Sequence, residues 1–417
     1  MHSRVGLEET SIGQETASII AQVRSGGDDA LRALARRFDR ATLDSLEVPE
    51  SAWHVALASL DPKLVTAMKR TIRNISSVQS ASLPASLETF PERGIVVGRR
   101  ADPLSRVGVY TPGGTAAYPS SLLMGAVPAR IAGVHEIVVC SPPAPDGVPS
   151  KAVLAAAALS GVDRVFAIGG AGAIAAMAYG TETVPRVDRI VGPGNAYVAE
   201  AKLQVSGVVS IDSPAGPSEL LVVADHSADP AVIAREVMAQ AEHDPRAVVV
   251  VVAIGEGVAD IIARRILEVL PLQQRRGVIQ EALKSRGAVV WASDMNEAVA
   301  FSNEFAPEHL LVATLAPRSI LPALRNAGTI FLGERSSVSF GDYMTGANHV
   351  LPTGGLARSY SGLSVLDFVR WTTYQVVDAE AAQSLAEDVG VFADAEGLHA
   401  HAASARQWRS ASGANRQ

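Results

Sequence analysis

The chain has 417 residues, with 36 lysines and arginines against 43 aspartates and glutamates, a formal net charge of −7, one cysteine and nine histidines. That length predicts two or three domains with cores that need no covalent staples. The lone Cys140 excludes an internal disulfide, a cysteine-built zinc site and an iron–sulfur cluster, so any metal must be held by His, Asp, Glu or amide ligands.

The acidic balance argues against a nucleic-acid binder, and the basic pairs Arg99–Arg100, Arg264–Arg265 and Arg275–Arg276 read as solvated surface. No apolar run reaches the roughly 18–20 residues of a membrane helix. Val165 to Thr181 carries no formal charge but is broken by glycines. Met1-His2-Ser3-Arg4 opens no signal-peptide hydrophobic region, so a soluble, reducing, cytoplasmic setting is expected.

The first hundred residues read as helices. Ile12, Ile19, Ile20 and Val23 recur at helical spacing over Ser11–Val23. Gly26-Gly27-Asp28-Asp29 stops that helix and caps the next, Ala30–Phe38. Ser51–Leu60 and Lys63–Ile75 continue the pattern.

From Val107 short β-branched runs alternate with alanine-rich helices. Strands are predicted at Val107–Tyr110, Glu136–Cys140, Arg164–Ile168 and Arg189–Val191. Helices are predicted at Ser120–Ala132, Lys151–Leu159, Ala173–Tyr179 and Ala196–Val205. This alternation predicts a parallel, doubly wound sheet. The rhythm resumes at strand Glu219–Val223. There Asp229-Pro230 caps a helix running to about His243, where Asp244-Pro245 ends it. Ala247–Ile254, eight apolar residues in a row, suits a strand buried on both faces. Val289–Trp291, Leu310–Val312 and Thr329–Leu332 are further strands; Ser364–Arg370, Ala379–Asp388 and Glu396–Trp408 read as helices, and Ser410–Gln417 as a frayed tail.

No G-x-G-x-x-G follows a strand. Gly192-Pro193-Gly194-Asn195, between a strand and a helix, is either a tight turn or a place where backbone N–H groups receive a phosphate. Gln240 and His243, three apart at a helix end, share a face and could offer an amide oxygen and an imidazole to a cation, or be a chance surface pair. Glu308-His309 enters a strand after Pro307: an acid and a base flanking a substrate, or a loop acid beside a partly buried histidine. Ser336–Thr353, holding Asp342 and His349, is too long and glycine-rich for a simple connector and reads as a binding loop. Of His399 and His401, two apart on a predicted helix, one is a bystander. Cys140 closes an apolar strand and reads as structural.

Six segments resemble the histidinol dehydrogenase family, in order. They are Gly108–Gly114, Gly192–Asn195, Pro214–Glu219, Gln240–His243, Ala306–Leu310, and Gly341-Asp342-Tyr343 through Asn348–Thr353. The early Val23-Arg24 to Phe38-Asp39 pattern and the late Ala395–Leu398 to His401 agree, so the likeness runs from about residue 10 to 408. The resemblance implies oxidation of L-histidinol to L-histidine through the aldehyde, the last steps of histidine biosynthesis, with two NAD reduced in succession. It implies one Zn2+ per subunit on Gln240, His243, Asp342 and His401, positioning the substrate, with His399 the bystander. His309 would be general base and Glu308 would activate water. Ser218, His349 and Glu396 match substrate-contacting positions, alongside the metal ligands and His309; Tyr110 and Asn195 match NAD-contacting ones.

The implied fold is two incomplete Rossmann-like domains in an intertwined homodimer. One spans residues 1–109 and 220–363, the other, on the NAD side, 110–219. A helical tail, 364–417, is exchanged with the partner subunit, so that Glu396 and His401 serve the neighbouring site. Neither a nucleic acid nor a membrane is an implied partner. One departure stands out: Gly172 sits where the family carries a glutamine, removing a side-chain contact to the dinucleotide. The competing readings are a paralogue acting on another small alcohol such as a sulfonated diol, a zinc hydrolase, and a non-catalytic binding protein.

Overall fold

The computed structural model describes residues 9–113, 117–214 and 216–409. The N-terminal start, Gly114, Thr115, Ala116, Ala215 and the tail from Ser410 lie outside the described residues, and with them the readings made there. The chain divides into two compact units: residues up to 83 with 104–368, and residues 84–103 with those from 369 onward.

In chain order the helices and strands are α1 (Glu9–Leu34), α2 (Glu50–Ser59), α3 (Pro62–Ala81), β1 (Leu87–Thr89), β2 (Ile95–Pro103), β3 (Arg106–Tyr110), α4 (Pro119–Ala132), β4 (Glu136–Ser141), α5 (Lys151–Ser160) and β5 (Arg164–Ala167). Then come α6 (Gly170–Tyr179), β6 (Arg189–Val191), α7 (Ala196–Val205), β7 (Ser210–Ile211), β8 (Glu219–Ala224), α8 (Pro230–Ala241), β9 (Val248–Ile254), α9 (Val258–Val269), α10 (Arg276–Arg286) and β10 (Gly287–Ala292). The last are α11 (Met295–Phe305), β11 (His309–Ala313), α12 (Pro317–Ile320), β12 (Thr329–Leu332), α13 (Val338–Tyr343), β13 (Val369–Val377), α14 (Ala379–Ala395) and α15 (His399–Arg406).

The larger unit holds two five-stranded parallel sheets, ordered β5-β4-β3-β6-β7 and β10-β9-β8-β11-β12. In each, the chain starts at the central strand, steps to one edge, and returns to build the other. Such a reversal leaves a crevice at the C-terminal ends of the two central strands, where open α/β sheets bind ligands. Helices cover both faces. In the first sheet Val109 meets Gly125 of α4, while its neighbour Gly108 faces Met177 of α6; adjacent strand residues point to opposite faces. In the second, Leu220, Val222 and Ala224 pack toward α8, α9 and α10, and Leu221 and Val223 toward α11. Val249–Val252 are all buried, as strands covered on both faces require.

The parallel α/β expectation holds, and most elements fall where the sequence places them. Gly27, with φ 50°, interrupts α1 between the two expected helices. Three corrections follow. The first hundred residues are not all helical, because 87–89 form β1 and β2 starts at Ile95. Ser364–Arg370 is a short 3-10 turn leading into strand β13, not a helix: the β-branched residues Val369, Thr372, Thr373, Val376 and Val377 pair antiparallel with β2. The last helix starts at His399, and Glu396 caps the end of α14 instead.

The smaller unit is the antiparallel sheet β1-β2-β13 with α14 and α15. Arg406 ties α15 to Glu387 and Asp394 of α14. Trp371, Val376, Val377, Val391, Phe392 and Leu398 are exposed on it.

Candidate active site

The C-terminal end of α8, the entrance to β11 and the short helix α13 converge in the larger unit. His309 is the first residue of β11, between the fully buried β8 and the half-buried edge strand β12. Its Nδ1 lies 3.0 Å from the Glu219 carbonyl oxygen. A carbonyl only accepts, so Nδ1 carries the hydrogen and Nε2 is left to take a proton. Nε2 is buried, has no hydrogen-bond partner, and sits 3.6 Å from Asp342 Oδ1. Burial by itself would push the His309 pKa down; the Glu308 and Asp342 carboxylates outweigh it and lift it to about 10.

Glu308 is fixed from the other side. Ser218 donates its hydroxyl to Oε2 at 2.9 Å and the Glu219 N–H donates to the same oxygen at 2.7 Å. His309 Nδ1 is 3.3 Å from that oxygen. Ser218, which resembles a substrate-contacting position, therefore also orients Glu308. Glu308 precedes the strand rather than lying in it, and both it and His309 are buried.

Asp342 rides on α13. A Cβ on Gly341 would stand 2.6 Å from the Phe331 ring, so glycine lets this helix lie directly on β12. Burial alone would raise the Asp342 pKa, but His309, then His349 and His243, hold it below the usual carboxylate range. His349 places Nδ1 2.8 Å from the Asp342 carbonyl oxygen and Nε2 3.5 Å from Ser121 Oγ; burial lowers its pKa. Gln240 is buried on α8 with its Nε2 unpartnered. His243 follows one residue after the helix cap and lines a cleft of about 420 Å³ with Leu64, Met68, Tyr118, Tyr343 and Met344.

The structure thus brings Ser218, Glu308, His309, Asp342 and His349 into one network, with His243 in electrostatic reach of Asp342. Among the described residues no group of three His, Cys, Asp or Glu stands ready to hold a metal. Glu396 and His401 belong to the smaller unit, where both are exposed.

At the first sheet, Tyr110 is buried and its hydroxyl accepts from the Gly170 N–H at 3.1 Å, pinning the turn into α6. Asn195 accepts from the Val198 N–H and caps α7. Cys140 is buried and its thiol pKa is pushed up by that burial, as a structural cysteine requires. Gly172 faces α1: a Cβ there would stand 2.9 Å from Leu34 Cδ1 and 3.5 Å from Leu31 Cδ2.

The sequence model of the histidinol dehydrogenase family matches residues 2–409. The chain belongs to the histidinol dehydrogenase family. The histidinol dehydrogenase of Methanothermobacter thermautotrophicus is 46% identical over 404 residues, covering 97% of this chain and 95% of the relative. That of Burkholderia lata is 47% identical over 405 residues, covering 95% and 92%. The crystal structure of histidinol dehydrogenase from Elizabethkingia anophelis superposes with a TM-score of 0.93 at 32% identity, covering 98% of this chain and 93% of that one.

Sequence reasoning did not find Glu219, whose carbonyl sets the His309 tautomer and whose N–H holds Glu308. No side-chain pattern marks it, because both contacts are made by its backbone. Among the described residues no helix is long and apolar enough to cross a membrane.

Proposed function

We propose that this protein oxidises L-histidinol to L-histidine through the aldehyde, as an NAD-linked, zinc-dependent homodimeric enzyme of the cytoplasm. The observation that carries this reading is the His309–Glu308–Asp342 network, set in a chain of this family from end to end.

The residues suit a cation. Gln240 offers the oxygen of a buried amide, Asp342 a carboxylate held below the usual range, and His243 an exposed imidazole beside the cleft. The fourth ligand would be His401 from the exchanged tail of the neighbouring subunit. Zinc, when bound, would chiefly position the substrate. The exposed apolar side chains of the smaller unit, Phe392 and Leu398 among them, support its exchange between subunits, with Glu396 meeting the substrate's cationic amine in the neighbouring site.

In its neutral form His309 takes the alcohol proton on Nε2; a cation held by Asp342 would withdraw part of the negative charge that otherwise raises this imidazole's pKa. The charge that appears on the imidazole is stabilised by the carboxylates on either side. Glu308 holds Oε2 against Ser218 and the Glu219 N–H, which leaves Oε1 to draw a proton from water at the aldehyde stage. Ser218, through Glu308, and His349, beside Asp342, hold the substrate end of the site.

The crevice at the switch between β3 and β6 suits a dinucleotide. Gly170, at the start of α6, opens onto space that no neighbouring atom fills. NAD, when bound there, accepts hydride in both oxidations. Tyr110 and Asn195 set the turns that receive it.

The test is stoichiometry. Zinc-loaded protein with limiting L-histidinol and excess NAD is expected to form two NADH per substrate. No NADH overturns the dehydrogenase reading; a single NADH shows that oxidation stops at the aldehyde.

A further inference from the structure

The six-residue helix α13 carries Asp342, yet its own sequence gives it little hold. Its N-cap Ser337 makes no side-chain cap bond, and its first turn contains no acid. An isolated helix this short has no stability of its own in water. Its place must come from what grips it.

Two other helices do so. Glu236 of α8 is buried, and its Oε2 accepts from the Val338 N–H at 3.1 Å, capping α13 with a carboxylate from elsewhere in the fold. Among the described residues no ion pair reaches Glu236. Val338 sits in the apolar cluster of the second sheet with Val237, Met238 and Phe331, so this cap is made away from water. At the far end Thr71 of α3 donates to the Tyr343 carbonyl at 2.7 Å and Asn74 donates to the Met344 carbonyl at 2.6 Å. The spacing gives the cap its meaning. Glu236 lies one turn before Gln240 on α8, and Val338 one turn before Asp342 on α13. The bond therefore locks the two helices together one turn behind the two ligands they present.

We propose that Glu236, with Thr71 at the opposite end, is a positioning residue that sets Asp342 against Gln240 and so tunes the affinity of the site for zinc. This rests on the reading of Gln240, His243 and Asp342 as ligands. A buried carboxyl acceptor directed at a ligand-bearing helix is the kind of support whose loss lowers metal affinity about 10–100-fold.

The experiment measures zinc affinity of the full-length, metal-stripped protein by competition with a chromogenic chelator. Wild type, Glu236→Ala, Glu236→Gln, Thr71→Val and His243→Ala are compared, with circular dichroism and the thermal midpoint of each metal-free protein recorded alongside. Glu236→Ala is expected to weaken zinc by about tenfold or more. Glu236→Gln, which keeps an acceptor oxygen, restores most of that loss. Thr71→Val, nearly isosteric and lacking only the hydroxyl, weakens zinc about three- to tenfold, the value of one hydrogen bond. It carries the test if Glu236→Ala does not fold. Wild-type affinity in both Glu236→Ala and Thr71→Val, with His243→Ala impaired, overturns the positioning role and leaves the ligand reading standing. A wild-type protein that takes up no zinc, or a His243→Ala variant that binds normally, overturns both.

Discussion

At the ends of the first parallel sheet, between residues 106 and 212, polar side chains hold backbone turns, although Thr111 Oγ1 and Arg189 Nε are buried without partners. Tyr110 holds the Gly170 N–H, Asn195 caps its own helix, and Lys202 and Asp212 form a buried ion pair that grips both the carbonyl and the N–H of Gly192. At the ends of the second sheet, between 219 and 332, the buried polar groups are instead gathered beside one another as side chains, and those without partners, His309 Nε2 and Gln240 Nε2, belong to the candidate site itself. The strand order is the same in both. The first sheet builds rigid turns that present backbone, which suits a long ligand held by many weak contacts. The second builds a cluster of ionisable side chains whose needs only a ligand completes. One frame serves both uses because the strand ends, and not the frame, carry the chemistry.

The strongest way to break this contrast is at the second sheet. His309→Ala is expected to slow alcohol oxidation about 10²–10⁴-fold, the usual worth of a positioned general base. Glu308→Gln should leave that step largely intact and stop the aldehyde-to-acid step, so NADH per histidinol falls from two toward one. Equal losses in both variants with histidinal as substrate contradict the division of roles.

Next comes the turn of the first sheet. Lys202→Met leaves Asp212 buried without its cation. That costs about 3–5 kcal/mol of stability by denaturant titration, and it frees the Gly192 turn. The KM for NAD should rise while the KM for histidinol moves little. Equal rises in both would show that the two sheets are not separate in function.

A smaller effect is expected at Gly172. Gly172→Gln must push Leu34 and Leu31 aside where α6 meets α1, at a cost of about 1–3 kcal/mol. A tighter KM for NAD in a variant that keeps its thermal midpoint would instead mean that the side chain finds the cofactor.

The smallest concerns Asp39, whose carboxyl burial raises its pKa from 3.8 to about 6. The folded state therefore keeps this proton longer than the unfolded chain, and stability falls as pH rises from about 4 through 6. Asp39→Asn should gain about 1 kcal/mol at pH 7, discounted because the carboxyl is half-exposed. The gain should vanish near pH 4, and a constant gain across that range would place its origin elsewhere.

Much of the fold was legible because its signals are local. Alternating apolar strands and capped helices predict two parallel sheets, and Asp229-Pro230 and Pro307-Glu308 mark where α8 begins and where β11 is entered. Strand β13 was not legible: its residues 369–377 pair with β2, more than 260 positions earlier, and are mostly exposed, so no buried stripe announces them. Ser218 could be matched to a motif, but its bond to Glu308 spans 90 residues and exists only once β8 and β11 lie side by side.

The sequence by itself determined which side chains are available: one cysteine kept inside, an acid–base pair at a strand entrance, and an amide and an imidazole at a helix end. Those are fixed by residue identity and short spacing. Only the tertiary structure decided which nitrogen of His309 is free and which oxygen of Glu308 is held. It also decided that α13 is gripped at its first turn by Glu236, at its last residue by Thr71 and just past it by Asn74. Each of these depends on a hydrogen bond between groups far apart in the chain. Such bonds are directional, and residue spacing carries no direction.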